Sequence, residues 1–406
     1  MMVVPYAPGA AGPVEIAAAA KPYGGVLFVT ETADPELDPV VTVLSELGSV
    51  VSTAAGMAGV EAALAGRPAS GVVTFADTML PVAAVVAEHF DLPGPTGGTW
   101  RLLTDKAAQR RRLNDAGLPR VATASFVPGT GPTSLPDVGF PAVIKPVTGA
   151  GSEHTVIVRS ADELPGVLSR LPAGRAFVAE EFIEGAPYAE QDWLADYLSV
   201  ESAVAGGRVR HLGLTGRLPL TPPAREAGVL FPVRPPGNLA AAIEQTAERA
   251  IRALGIEVGL VHTEVKMSPD GPRVIEVNGR LGGKIGQLMR DVGCADPVPL
   301  ALALAAGEPL PPPELPPGEQ ALLFLLHPPV DARSVLRLPP VPQVRRLPGV
   351  LRAQQLARAG AVTDWRAGLA AVVYEVWLRD ADIDRLRDNL AGVRDFLAET
   401  VEWEWV

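Results

Sequence analysis

The stretch Leu260–Arg280, LVHTEVKMSPDGPRVIEVNGR, reads as two alternating β segments joined by Ser-Pro-Asp-Gly. Pro269 suits the first central position of a type I turn, and Gly271 the left-handed position after it. With the turn centred on Asp270, Glu264 faces Glu276, His262 faces Asn278 and Lys266 faces Val274. In that register the two glutamates lie opposite each other on one face, their side-chain roots roughly 5 Å apart, and should repel. Protonation of one carboxyl, an offsetting Lys266 or a divalent cation between them would each relieve the repulsion. Hard oxygen ligands that include an Asn carbonyl favour Mg2+ or Mn2+, which accept a few protein oxygens and complete their shell with water and phosphate. A single cysteine and the lack of a second histidine nearby argue against zinc at His262. Taken alone, the hairpin could equally be a charged, solvated surface element.

Outward from the hairpin, two more stretches carry chemistry. Ile144-Lys145-Pro146 leads into Val147-Thr148-Gly149-Ala150-Gly151-Ser152 between two strand candidates. Glycines there let backbone N–H groups approach phosphate oxygens, and Lys145 supplies a fixed positive charge. Many such hairpins bind nothing, so the loop gains meaning only from its companions. Val178-Ala179-Glu180-Glu181-Phe182-Ile183-Glu184-Gly185 ends another strand, whose extended edge could meet the polar rim of a purine with Phe182 and Ile183 as apolar walls. A surface-charged strand end is the plainer reading of that segment by itself. The chain has no G-x-x-x-x-G-K-[ST] and no G-x-G-x-x-G after its first strand candidate, which excludes a P-loop and disfavours dinucleotide binding.

The rest of the chain frames these stretches. Residues 1–24, rich in Ala, Pro and Gly without a basic start, read as a mobile tail and not a secretory signal. Strand candidates at Val26–Thr30, Val50–Thr53 and Val72–Phe75 alternate with helices near Val40–Leu47, Val60–Ala65 and Pro81–His89, which is an open α/β sheet. Helices over Gly98–Leu103 and Asp105–Ala116 follow, the second stopped by Gly117 and Pro119. From Pro141 the pattern becomes β-rich, with an amphipathic helix near Asn238–Leu254 and another near Pro297–Ala306. Leu218–Leu230, with Glu226, is either a lid or a structural loop. The segment 309–318 is too proline-dense for a helix or a central strand and reads as a semi-rigid linker. Beyond it lie strand candidates at Ala321–Leu326, Val350–Leu356 and Ala370–Trp377. A helix from about Asp382 follows, with Ile383, Leu386, Leu390, Val393 and Leu397 on one stripe. Trp403 and Trp405 read as core or interface.

Composition narrows the function classes. A chain of 406 residues, 48% hydrophobic, is long enough for several domains with ample core. A net charge of −11 argues against a nucleic-acid surface, and Arg110-Arg111-Arg112 reads as a solvated helix face. The longest apolar run, Pro297–Ala306, is short of the roughly 20 residues of a membrane-spanning helix. Cys294 is the only cysteine, so no internal disulfide can form and a reducing, cytoplasmic setting is expected.

Asp105-Lys106 opening a helix, PAVIKPVTGAGS at 141–152, AEEFIEG at 179–185 and HTEVKMSPDGPRVIEVNGR at 262–280 together resemble the ATP-grasp superfamily in order and spacing. The resemblance covers roughly residues 100–305; the N-terminal unit resembles the domain that precedes the grasp in these enzymes, and the C-terminal unit looks like the lid of L-amino-acid ligases and related carboxylate–amine ligases. The resemblance implies an α/β and α+β chain in three units. These are an open N-terminal α/β domain over 25–118, a central ATP-grasp fold over 119–308 and, after the linker, a C-terminal α+β lid-type domain over 319–406. It further implies that Lys106 and Lys145 contact ATP phosphates and that Gly149, Gly151 and Ser152 close over them. Glu180, Glu181, Phe182 and Ile183 would line the adenine pocket. Glu264, Glu276 and Asn278 would hold Mg2+ or Mn2+, while Arg280, with Lys145, would steady the transferred phosphoryl group. In this family an acidic residue for the ribose usually follows the hinge glycine; here Gly185 is followed by Ala186-Pro187, leaving Glu184 or Glu190 as substitutes.

The implied reaction joins an amino acid or related acid to an amine through an acyl phosphate, releasing ADP and phosphate. The implied partners are small molecules, with neither nucleic acid nor membrane, and the implied assembly is a homodimer. Carboxylation, formyl transfer and a nucleotide-binding regulatory protein without turnover are the rival readings.

Overall fold

In the computed structural model, residues 1–129, 137–310, 312 and 318–405 are described. The first sheet contains β1 (Met2–Pro5), β2 (Val26–Thr30), β3 (Ser49–Ser52) and β4 (Gly71–Val72), all parallel, in the order β3-β2-β1-β4. The expected mobile tail over 1–24 is therefore wrong. Met2-Val3-Val4 is a short, uninterrupted apolar run, the pattern of a strand buried on both faces. It forms an inner strand between β2 and β4, and Pro13–Ala20 continues as a helix that buries Ile16 and Ala20.

A second, antiparallel sheet carries β5 (Thr123–Phe126), β6 (Ala142–Pro146), β7 (Val156–Val158) and β8 (Phe177–Glu181), in the order β5-β8-β6-β7. The glycine loop spans the turn from β6 to β7. The largest sheet draws on β9 (Tyr197–Ala205), β10 (Arg208–Arg217), β11 (Gly228–Phe231), β12 (Val258–Ser268), β13 (Gly271–Asn278) and β14 (Gln320–Leu326). After them come β15 (Ala332–Arg337), β16 (Val350–Gln355), β17 (Tyr374–Asp380) and β18 (Glu402–Trp405). Eight of these strands run β13-β12-β9-β10-β11-β14-β17-β16, and β15 pairs with β18 apart from them.

Because β14 hydrogen-bonds to β11, the segment beyond Gly318 is not a separate layer but the continuation of the central sheet. Its strands bury Ala321, Leu322 and Leu323 against the same core as the residues before the proline segment. Of the linker expected over 309–318, residues 311 and 313–317 lie outside the described residues. The lid reading of Leu218–Leu230 also fails. Leu218 and Leu230 are buried, Thr221 and Arg225 exchange backbone hydrogen bonds, and β11 is an inner strand. The strand expected over Ala370–Trp377 starts later, at Tyr374, because Trp365–Ala371 coils into 3-10 turns kinked at Gly368. At the C-terminus, Trp403 packs on the core while Trp405 is exposed on β18. Among the described residues no helix is long and apolar enough to cross a membrane.

Candidate active site

The β12–β13 hairpin forms where the alternation requires it. His262 pairs with Asn278 and Glu264 with Glu276, so both carboxylates rise from one face at the same level. Beyond that pair the expected register breaks. Ile275 is bulged out, Val265 meets Val274, and Lys266 faces Arg273 instead of Val274. The bulge shortens the connection to a Pro269-Asp270 tip between Ser268 and Gly271.

Lys266 is accordingly not the cation that separates the glutamates; it pairs with Asp196 at 2.7 Å and lies over the Phe182 ring. Glu276 instead meets the Lys106 ammonium at 2.9 Å, while Glu264 lies 3.5 Å from His262 Nε2. Burial alone would raise the Glu264 pKa, but His262, Arg217 and Lys145 outweigh it and hold the group at about 2. Burial would likewise lower Lys106, and Glu276, Asp77 and Glu264 together keep it above its ordinary value.

The residues fit a hard divalent cation. An anionic carboxylate, a second one opposite it and the Asn278 amide share one face of the hairpin. Among the described residues no group of three or more His, Cys, Asp or Glu could hold a metal by itself. A partial oxygen set of this kind suits an ion that takes its remaining ligands from water and phosphate.

Positive charge reaches the hairpin from three directions. The helix Lys106–Asp115 is capped by Asp105, whose side chain accepts from Ala108 N–H. It presents Lys106, Gln109, Arg110 and Leu113 on one stripe. Gln109 exchanges hydrogen bonds with both backbone groups of Val277, extending β13. Arg110 is only 3% exposed, not part of a solvated face as its neighbours suggest. It donates to the carbonyls of Val274 and Ile275 and, through Nε, to Glu180 at 2.8 Å. The i, i+3, i+4, i+7 spacing from Lys106 was the signal available in the sequence for this residue.

Lys145, on β6, meets the other Glu180 oxygen at 2.9 Å. Burial would raise the Glu180 pKa, yet Arg110 and Lys145 depress it to about 2. The Glu180 carboxylate is therefore the shared counter-ion of two cations and not a free group for a base to meet.

The glycine loop is held at both ends. Gly149 (φ 132°), Gly151 (φ 68°) and Ser152 (φ 59°) all take positive φ, where glycine costs nothing and serine is strained. Lys106 Nζ donates to Gly149 O at 2.6 Å, and Arg175 ties Thr148 O to Glu153. On the far side Leu369 N–H donates to Gly151 O at 2.9 Å, and His154 N–H donates to Arg366 O at 3.0 Å. The C-terminal 3-10 segment thus docks directly on the loop.

At the hinge, Glu181 turns away from Glu180, accepts from Ala122 N–H and pairs with Arg273. Ile183 is buried, while Glu184 is exposed. A cavity of about 500 Å3 lies beside the hinge, lined by residues from Gly185 to Asp196. Glu190 lines it, as does Asp196, and Glu184 does not. Gly185 is obligatory there, since a Cβ would fall 1.5 Å from Asp196 Oδ2.

Two further groups escaped the sequence reading. Arg280 is fixed by Asp77, from the turn after β4, with Nε and Nη2 both on Oδ2 at 3.0 and 2.6 Å. Below Glu264, a buried network joins Glu201, His262, Arg217 and Glu226. His262 Nδ1 lies 2.9 Å from Glu201, and Arg217 Nε lies 3.2 Å from Glu226. Burial would lower the His262 pKa, but Glu201 raises it to about 9; Nδ1 is taken up by Glu201 and Nε2 lies 3.2 Å from Arg217.

Residues 104–284 match the model of the ATP-grasp domain. Those residues of the chain are an ATP-grasp domain. Over its whole length the chain superposes on the crystal structure of an L-amino acid ligase from Bacillus licheniformis. The TM-score is 0.77 at 21% identity, covering 100% of this chain and 98% of the other, a likeness of fold. In sequence it is 28% identical over 251 residues to the uncharacterized protein y4rH of Sinorhizobium fredii, which covers 59% of this chain and 49% of the relative. It is 30% identical over 190 residues to carnosine synthase 1 of Gallus gallus, covering 42% of this chain and 19% of that one. The chain thus spans half or less of the length of these two curated relatives.

Proposed function

We propose that this ATP-grasp protein is an ADP-forming carboxylate–amine ligase, joining an amino acid or related acid to an amine. A carboxylate is a poor electrophile, and phosphorylation gives it a leaving group. The acid's oxygen attacks the γ-phosphorus of ATP and ADP departs; the amine then attacks the carbonyl carbon, phosphate leaves, and the nitrogen loses a proton. The single observation that carries this reading is the opposed pair Glu264 and Glu276, ringed by Lys106, Lys145 and Arg280.

Glu264, Glu276 and Asn278 would hold Mg2+ or Mn2+, which would supply charge neutralisation for phosphoryl transfer. Lys106 and Lys145 hold phosphates, and the loop with Gly149, Gly151 and Ser152 covers them and excludes water from the acyl phosphate. Phe182 and Ile183 wall the base, with the backbone from Glu181 to Ile183 facing its rim; Glu190 or Asp196 takes the ribose hydroxyls. Arg280 stabilises the oxyanion of the tetrahedral intermediate. The likeness to an L-amino acid ligase and to a carnosine synthase supports acids and amines of the amino acid type. A cytoplasmic homodimer is part of the same proposal, its assembly testable by sedimentation.

Carboxylation or formyl transfer would use the same phosphate machinery. A regulatory protein without turnover would need no intact set of Glu264, Glu276, Asn278 and Arg280, all present. Pairs of amino acids screened for phosphate release, with hydroxylamine to trap an acyl phosphate, test the proposal. ADP, phosphate and a hydroxamate are expected; AMP and pyrophosphate would mean an adenylate mechanism and end it.

A further inference from the structure

Arg280 is held in a way that the hairpin alone does not explain. Its Nε and Nη2 both donate to one oxygen of Asp77, at 3.0 and 2.6 Å, and Nη1 donates to Leu281 O at 3.0 Å. Three donors on two acceptors fix the plane of the guanidinium, which a single ion pair would not do. The backbone beneath is fixed as well: a Cβ at Gly279 would fall 2.4 Å from Leu103 Cδ1, so Leu103 sits directly on the residue before Arg280.

Asp77 comes from a different part of the molecule, 203 residues away, in the turn Asp77–Met79 that follows the parallel strand β4. That turn is anchored by Leu80, which packs with Leu103, Val261 and Val277 of the central fold. The second Asp77 oxygen is buried with no hydrogen-bond partner among the described residues, so no other protein donor competes for the carboxylate. Asp77 also lies close enough to Lys106 to raise its pKa, which puts the carboxylate beside the phosphate-binding cations and not on a remote surface.

We infer that Asp77 is a positioning residue for Arg280, which holds the guanidinium in the plane it needs during acyl transfer and makes a competent site depend on the docked N-terminal sheet. This inference rests on the ligase reading above, because it takes from it the task of Arg280. The effect of Asp77 passes through the arginine.

The test compares D77A, D77N, R280A and the double variant D77A/R280A. D77A should lower kcat about a hundredfold, the loss that a misplacement of about 1 Å produces, with the KM for ATP nearly unchanged. D77N, which keeps an acceptor oxygen without the charge, should fall between D77A and the parent. D77A should add nothing to R280A, since the two act as one unit. Multiplied losses in the double variant, or a D77A that shifts only thermal stability, would overturn the inference.

A readout without turnover accompanies it: the Arg280 Nε–H resonance, assigned by its disappearance in R280K. Its exchange with water should be at least about tenfold faster in D77A, as expected of a donor released to solvent. Unchanged exchange also refutes the inference. A parent protein that yields no hydroxamate with any amino acid refutes the ligase reading instead, and leaves the exchange measurement to decide the role of Asp77.

Discussion

Gly368→Ala is a sharp perturbation of the glycine loop, made from outside it. Gly368 has φ 58° and ψ −125°, and a Cβ there would fall 2.0 Å from Gly151 O and 2.9 Å from Glu153 N. Neither atom belongs to a flexible side chain, so the two segments must part. The docked form loses about 1 to 3 kcal/mol to backbone strain, in addition to the overlap. Undocking forfeits only the bonds from Leu369 N–H to Gly151 O and from His154 N–H to Arg366 O, together about 2 kcal/mol. Undocking is therefore the cheaper response. If the covered loop is the form that holds ATP, re-docking costs the strain and overlap less the bonds regained, and an excess of about 2 kcal/mol raises the KM for ATP about thirtyfold. Steady-state kinetics with ATP varied, together with hydrogen exchange at the His154 and Leu369 amides, measures both halves. Gly174→Ala is the control, since Gly174 also has positive φ (75°) but open space around it. A KM within twofold of the parent, or full protection of both amides in Gly368→Ala, would refute the coupling.

Glu180 contributes a pH-dependent stability. Its folded pKa of about 2 lies below the 4.5 of an ordinary carboxyl. The contribution is thus fully present above pH 4.5 and disappears as the pH falls toward 2; the difference corresponds to about 3 kcal/mol. Denaturant titrations from pH 7 to 2.5 should give a shallower acid slope for Glu180→Gln, and an unaltered slope would refute the assignment. Arg110→Met strands Glu180 with one cation and should cost about 3 to 5 kcal/mol in the same titrations, whereas Arg111→Met on the exposed face should cost under about 0.5 kcal/mol. Glu276→Gln should lower ligation at least about a hundredfold and raise the Mg2+ concentration needed for half activity, without loss of fold by circular dichroism. Gly279→Ala should slow turnover, and the second substitution Leu103→Ala should restore part of it by making room for the Cβ.

What could be read from the residues was whatever depends on near neighbours. The β12–β13 hairpin followed from alternation around a turn dipeptide, and the helix Lys106–Asp115 from its cap and its stop, because both signals lie within about ten residues of what they determine. The bulge at Ile275 escaped because one inserted residue leaves the apolar pattern of Val265 and Val274 intact while shifting which of them meet. β1 escaped because four apolar residues carry no periodicity, and only β2 and β4 on either side make them a strand. The proline-dense stretch suggested a boundary in the fold, yet β14 returns to pair with β11 because its apolar residues need the same core. Asp77 was invisible for the plainest reason: nothing near position 77 indicates an arginine 203 residues later.

The same distance dependence explains how the site is charged. Each cation around the hairpin has a carboxylate partner from another segment: Lys106 with Glu276, Lys145 and Arg110 with Glu180, Arg280 with Asp77. Unpaired, such buried charges would cost several kcal/mol each, so the pairs let the fold hold them before any substrate arrives. The pairs differ in what they can give up. Glu180 is sealed between two cations and remains a counter-ion, whereas Glu276 is partly exposed and holds Lys106 by a single contact. On the proposed reading, holding a divalent cation would draw Glu276 away from Lys106 and leave that ammonium for phosphate. The mutual repulsion of the opposed glutamates is relieved in part by that lysine.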